Sequence, residues 1–126
     1  MRWLFDTNLF IETAAGKPHA SSAMLLAAEI EWAGYSAISR VEALGFPRLT
    51  PEAETHLRRL FDQFIEVSVT TEVIEKAISL RREVRMKTPD AIIAASALVN
   101  GAELVTRNID DFKRVAGLVT VDPSVL

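Results

Sequence analysis

Five short runs of branched and aromatic residues punctuate this chain, and segments with helical spacing fill the gaps between them. The runs are Arg2–Phe5, Tyr35–Ile38, Glu66–Val69, Glu103–Thr106 and Leu118–Val121. Leu57, Leu60, Phe61, Phe64 and Ile65 recur at i, i+3, i+4, i+7 and i+8, which predicts an amphipathic helix. Val73, Ile74, Ala77, Ile78 and Val84 repeat the idea. Ala91–Val99 is apolar nearly all round, so that helix is expected in the core, with Asn100-Gly101 as its stop. Strands alternating with helices predict an α/β domain whose central sheet is mainly parallel and has about five short strands. Strand order does not follow from the pattern. The 126 residues suit a single domain spanning 1–126.

The same alternation places chemistry, because ligands of parallel α/β sheets bind outside the carboxyl ends of the strands. Asp6 follows the first run, Glu42 the second, and Thr106-Arg107-Asn108-Ile109-Asp110-Asp111 the fourth. Asp90, in Thr88-Pro89-Asp90-Ala91, lies between two helices and reaches that edge only if the fold carries it there. Each acid has an ordinary reading. Ser39-x-x-Glu42 spells a capping box. Thr88-Pro89-Asp90 reads as N-cap, proline at N1 and an acid in the first turn, a phrase nearly repeated at Thr50-Pro51-Glu52-Ala53. Asn108 can cap a short helix bearing Asp110 and Asp111. Together, however, carboxylates sharing one crevice repel each other unless a cation sits among them. Oxygen ligands without His or Cys suit Mg²⁺ or Mn²⁺. Such a centre serves phosphodiester hydrolysis by metal-activated water. His19 and His56 belong to no catalytic arrangement and are expected at the surface.

Composition removes several classes of function. The absence of cysteine excludes disulfides, thiolate metal sites and cysteine nucleophiles. A net charge of −3 argues against coating nucleic acid through bulk positive charge, although basic residues flanking an acidic centre stay compatible with RNA. Met1-Arg2-Trp3-Leu4-Phe5-Asp6 carries an acid where a signal peptide needs an apolar run, and no stretch approaches the ~20 apolar residues of a membrane span. A soluble cytoplasmic protein with no membrane partner is expected. Hydrophobic residues make up 49% of the chain, with a mean hydropathy of +0.18. That balance fits either a well-filled core or an apolar surface closed by another chain, and Met24–Trp32 suits both.

Leu4-Phe5-Asp6-Thr7-Asn8, Ser39-Arg40-Val41-Glu42, Pro89-Asp90-Ala91-Ile92-Ile93-Ala94-Ala95 and Leu104-Val105-Thr106-Arg107-Asn108-Ile109-Asp110-Asp111-Phe112 occur in the order and spacing of VapC-type PIN domains. Gly117-Leu118 and Asp122-Pro123 are similar to the ending of that family, so the resemblance spans essentially the whole chain. It implies a three-layer α/β/α domain, an endoribonuclease dependent on Mg²⁺ or Mn²⁺, and the toxin of a toxin–antitoxin pair. Asp6 and Asp90 match the two principal metal-binding aspartates, and Glu42 matches the second acid of the quartet. At the fourth position Asn108 stands where many relatives carry Asp, with Asp111 one turn on, so both are candidates. The neutral oxygen of Asn108 weakens a second ion position, which implies one tightly held ion and another arriving with substrate. The implied partners are an RNA substrate, a VapB-like antitoxin lying over the active-site groove, and a second copy in a homodimer.

Around the acids, Thr7, Asn8, Ser39 and Thr106 are able to orient carboxylates or bind phosphate, and equally to cap helices. Arg40 and Arg107 are expected to hold RNA phosphate, the alternative being to neutralise a neighbouring carboxylate. Arg81, Arg82, Arg85 and Lys87 form a basic run before Asp90, either a positive approach path for RNA or a solvated helix face. Two other functions compete. A phosphoryl-accepting receiver-like domain wants a lysine at a late strand end, where Thr106-Arg107-Asn108 has none. A non-catalytic PIN-like module that binds RNA or protein has no need of Asp6, Glu42 and Asp90 together. An RNA-processing PIN-like nuclease outside a toxin–antitoxin system would keep them, and the adjacent reading frame tells it from a toxin.

Overall fold

The computed structural model describes the backbone of all 126 residues and every side chain except that of His19, so the surface expectation for His19 lies outside the described residues. In chain order the elements are β1 (Arg2–Phe5), α1 (Thr7–Ala14), α2 (Pro18–Ala27), β2 (Trp32–Ser36), α3 (Ile38–Leu44), α4 (Pro51–Asp62) and β3 (Ile65–Val67). The second half continues with α5 (Thr71–Val84), α6 (Thr88–Val99), β4 (Glu103–Val105), α7 (Ile109–Phe112) and β5 (Thr120–Val121), then a final 3₁₀ turn at Pro123–Val125.

The five strands form one sheet in the order β3-β2-β1-β4-β5, and every pairing is parallel. Side chains alternate across it as the pleat requires. From β1, Leu4 enters one core with Leu104, Val73, Leu80, Ile93 and Phe112, beneath α5, α6 and α7. Trp3 and Phe5 enter the other, with Leu9, Phe10, Tyr35, Leu57 and Phe61, beneath α1 to α4. Helices on both faces of a buried parallel sheet make the expected three-layer α/β/α domain. Phe10 stacks on Phe61 with ring centroids 4.3 Å apart, which fixes α1, and hence its first residues, against α4.

The strand order reverses between β1 and β4, because the chain builds outward from β1 to β3 and then returns to the other side. The crevice at such a reversal is where a parallel sheet leaves room for a ligand. α5 and α6 fill the return crossover as a helical hairpin joined by three residues, Arg85–Lys87. α6 ends as its sequence requires. The Ala102 N–H reaches the Ala97 carbonyl at 2.9 Å and Gly101 that of Leu98 at 3.2 Å, with Gly101 at φ 61°, a Schellman stop.

Several elements depart from their periodicity. The second strand begins at Trp32 rather than Tyr35, and Ile38 belongs to α3. Gly34 hid it: glycine is a poor strand former, yet here it faces the Ile65 carbonyl so closely that a Cβ would lie 2.8 Å from that oxygen. The third strand starts one residue earlier than expected and the fifth two residues later. Phe64 and Ile65 lie past the end of α4, and Ile65 opens β3. On α5 the buried stripe is Val73, Ala77 and Leu80, while Ile74 and Ile78 stay exposed.

Candidate active site

Asp6 is the N-cap of α1 and lies at the carboxyl end of β1, only 6% exposed. Both of its oxygens are held. Oδ1 accepts the Thr7 backbone N–H at 2.8 Å, and Oδ2 accepts the Thr106 hydroxyl at 2.8 Å. Thr106 follows β4, so this second bond crosses the crevice where the strand order reverses. The Thr106 oxygen also accepts the Asn108 N–H at 3.0 Å, tying the 106–108 turn to the same carboxylate.

The capping-box reading of Ser39 and Glu42 does not hold. Ala37 is the N-cap of α3, which places Ser39 inside the helix and buried. Glu42 instead reaches α1, where its Oε1 accepts the Thr7 hydroxyl at 2.7 Å. Thr7 has one hydroxyl proton, so in the 2.8 Å contact between Ser39 and Thr7 it is Ser39 that donates. The result is a short relay, Ser39 to Thr7 to Glu42, whose members polarise one another.

Asp90 arrives as the fold allows. The α5–α6 hairpin turns at the edge that carries Asp6, and Asp90 sits in the first turn of α6, half-buried. Thr88 is not its cap: Lys87 is, with no side-chain bond, and the Ala91 N–H goes to the Lys87 carbonyl at 2.9 Å. At the near-identical Thr50-Pro51 phrase, Thr50 does cap, accepting the Ala53 N–H at 3.1 Å. Similar spellings therefore start helices one residue apart. Asn108 heads α7 without a side-chain cap bond, and its side chain is exposed.

Electrostatics joins these acids into one group. Burial, first of all, pushes the Asp6 carboxyl up to about 6 from 3.8, with Asp90 and Glu42 adding repulsion against the two hydrogen bonds that favour its charge. Asp90 is also raised, by burial, then by Asp111 and Glu42, while Lys87 opposes the shift. Asp111 shares a cavity of about 210 Å³ with Asp90. Asp6, Glu42, Asp90 and Asp111 thus form a chain of mutually felt charges, whereas Asn108 contributes none. Among the described residues no three His, Cys, Asp or Glu side chains stand close enough to ligate one ion jointly. The donor chemistry nonetheless fits a hard divalent cation: oxygen only, partly desolvated, and carrying excess negative charge.

The arginines beside the acids are engaged elsewhere. Arg40 pairs with Glu66 through its Nε, and Arg107 meets Glu12 at 3.4 Å. These contacts agree with the carboxylate-neutralising alternative, while both side chains stay exposed to solvent. Asn8 and His56 are exposed. Sequence reasoning missed one participant, Arg114, which lines the cavity with Asp90 and Asp111. The only signal was nearness in the chain: Arg114 lies three residues beyond Asp111.

The PIN domain family matches residues 3–118. A chain of a toxin–antitoxin complex from Klebsiella pneumoniae is 33% identical, with 95% of this chain and 96% of that one covered and a TM-score of 0.79. Two others are similar in fold. VapBC2 from Rickettsia felis, bound to a promoter DNA fragment, is 21% identical with TM-score 0.85, covering 96% of this chain and 98% of that one. DNA-bound VapBC from Salmonella typhimurium is 22% identical with TM-score 0.82, covering 98% of each. Comparison with curated protein sequences found no match. Matched by the family over most of its length and sharing a third of its residues with the Klebsiella chain, this chain belongs to the PIN domain family.

Proposed function

We propose that this chain is a Mg²⁺- or Mn²⁺-dependent endoribonuclease and the toxin of a toxin–antitoxin pair. One observation carries the reading: Asp6 is a buried carboxylate clamped at both oxygens, at the reversal of a parallel sheet, in the field of Glu42 and Asp90. A carboxylate so placed is costly to ionise alone and is relieved by a cation. Asp6 would anchor that ion, Glu42 and Asp90 would have to close in on it to complete its ligands, and Asp111 rather than Asn108 would serve as the fourth acid. When bound, the ion acidifies a water and offsets charge on the phosphoryl oxygens. The chain's own part is to fix Asp6 through Thr7 and Thr106, and to steady Glu42 through the Ser39–Thr7 relay. It also keeps a second pair of acids, half-buried Asp90 and exposed Asp111, beside the cavity by which a phosphodiester would approach.

The Klebsiella toxin–antitoxin relative supports the toxin role. In this reading a VapB-like antitoxin covers the acidic groove, and the protein acts in the cytoplasm as a homodimer. No helix among the described residues is long and apolar enough to cross a membrane. Leu25 and Leu26 on α2, 74% and 40% exposed, are consistent with burial by another chain.

Cleavage of a pooled RNA by the wild type in Mg²⁺, lost in EDTA and in Asp6→Asn, is the expected result. RNA that binds equally but is cut equally poorly in all three conditions would make the chain a binding module instead. Growth arrest on expression, relieved by the product of the adjoining reading frame, tests the toxin role. Light scattering showing only monomer at micromolar concentration removes the dimer.

A further inference from the structure

The turn between α5 and α6 holds the one non-glycine residue with positive φ among the described residues, Arg85 at φ 59° and ψ 42°. Glycine is the usual occupant of a left-handed position after a helix, since a side chain there is strained. Arginine at this place therefore calls for a reason in its side chain. Its neighbour Met86 is buried, 7% exposed, and the Arg81 Nε donates to the Met86 carbonyl at 3.2 Å. That anchoring leaves Arg85 and Lys87, one on each side of Met86, exposed on the cavity of about 210 Å³ that Asp90 and Asp111 also line. Arg114, just past α7, completes the cationic lining.

None of these three cations has an ion-pair partner within 4 Å among the described residues, although carboxylates share their cavity. Arg40 and Arg107, by contrast, are already held by Glu66 and Glu12. Positive charge that is exposed, unpaired and beside an acidic centre is what a polyanion needs in order to approach that centre.

We infer that Arg85, Lys87 and Arg114 form a phosphate subsite, which holds an RNA backbone phosphate next to the one attacked at the acidic centre. The inference rests on the nuclease reading for its chemistry, but it is a statement about binding. Arg85 is a positioning residue whose guanidinium grips two phosphate oxygens, while Lys87 and Arg114 act as point charges on either side.

The test is anisotropy of a labelled, randomised RNA pool, titrated with the full-length protein from about 50 to 200 mM salt in EDTA, where the proposed metal-dependent cleavage does not run. Arg85→Gly suits the left-handed backbone, so the variant keeps its fold while losing the guanidinium. Binding is expected to weaken about tenfold. The slope of log K against log salt is expected to shrink by about 0.7, one single-strand phosphate contact. Arg85→Lys restores most of the slope, and the variant lacking all three cations loses about 2 from it. With Mg²⁺ and cleavable RNA, Arg85→Gly raises KM and leaves kcat near the wild-type value. Unchanged affinity and slope in Arg85→Gly overturns the subsite while leaving cleavage by the wild type, and so the nuclease reading, intact. A wild type that binds with the expected slopes but never cleaves supports the subsite and sinks the nuclease. Absence of binding by the wild type overturns the subsite.

Discussion

At neutral pH Asp6 must carry a charge where burial favours its proton, and the cost of doing so can be measured. Its carboxyl sits at about 6 instead of 3.8. The folded state therefore holds this proton more tightly than the unfolded chain, so the contribution of Asp6 to folding stability is greatest below about pH 4. It falls as pH rises through the interval and levels off above about pH 6. Each tenfold in proton affinity is worth ~1.4 kcal/mol, so about 3 kcal/mol is lost across the interval. Asp6→Asn removes the titration with little loss of structure. The amide oxygen still accepts the Thr7 N–H, and the Thr106 hydroxyl rotates to accept from the amide nitrogen. Urea unfolding in EDTA at stepped pH should then show the variant gaining about 3 kcal/mol on the wild type between pH 4 and 7.5. Asp90 titrates in both proteins, so the difference reports Asp6 together with its coupling to Asp90 and Glu42. Adding Mg²⁺ at pH 7.5 should stabilise the wild type by mass action and leave the variant unmoved. Parallel pH profiles for the two proteins would refute the account of Asp6 as a destabilised, cation-seeking carboxylate.

Thr106→Val removes the donor to Asp6 and the acceptor of the Asn108 N–H, so it should cost about 1–3 kcal/mol in urea unfolding. It should also drive the Asp6 carboxyl further up and move the pH–rate profile to higher pH. Asp90→Asn deletes one source of repulsion, and a carbon-detected NMR titration should find the Asp6 carboxyl lower than in the wild type; no downward movement would break the electrostatic link between the two. Gly34→Ala sets a Cβ 2.8 Å from the Ile65 carbonyl and 2.9 Å from the Trp32 ring, so about 1–3 kcal/mol of stability should be lost. Cleavage per folded molecule should change little, because the added Cβ meets Ile65 of β3 and Trp32, on the side of β2 away from the Asp6–Thr106 crevice.

The layered fold was legible because the pleat and the helical period are written directly into residues such as Trp3, Leu4 and Phe5, which divide between two cores. The order β3-β2-β1-β4-β5 was not, since it depends on which crossovers pack together rather than on any local pattern. Local spelling misled where tertiary partners competed with it. Ser39 and Glu42 fit a capping box, but Thr7 from another helix offered both a better partner. Thr88 fits a cap as well as Thr50 does, yet α6 starts one residue before it would allow. Arg40 and Arg107 stand beside the acids in sequence, and their guanidinium groups also reach Glu66 and Glu12. In each case the residue type was informative and its partner was not, because a partner some 26 to 95 residues away leaves no trace in spacing.

The two halves of the site are built to different stiffness, and this orders events within the proposed function. Asp6 and Glu42 are held by fixed hydrogen bonds, so little entropy remains to be lost when they engage a cation. Half-buried Asp90 and exposed Asp111, with the three exposed cations of the neighbouring cavity, have no such hydrogen-bond clamps. Their ordering must come from what binds. A cation on the rigid half lowers the repulsion that an incoming phosphate meets, and the phosphate, once held by Arg85, Lys87 and Arg114, adds negative charge that strengthens the hold on the cation. The coupling is reciprocal by linkage, so RNA must tighten metal binding by the same factor as metal tightens RNA binding. Titrating Mg²⁺ into the wild type with and without the RNA pool, read by stopped flow before cleavage proceeds, should therefore show a lower metal Kd in its presence. The effect should shrink in Arg85→Gly, and equal Kd values with and without RNA would mean that the two halves act independently.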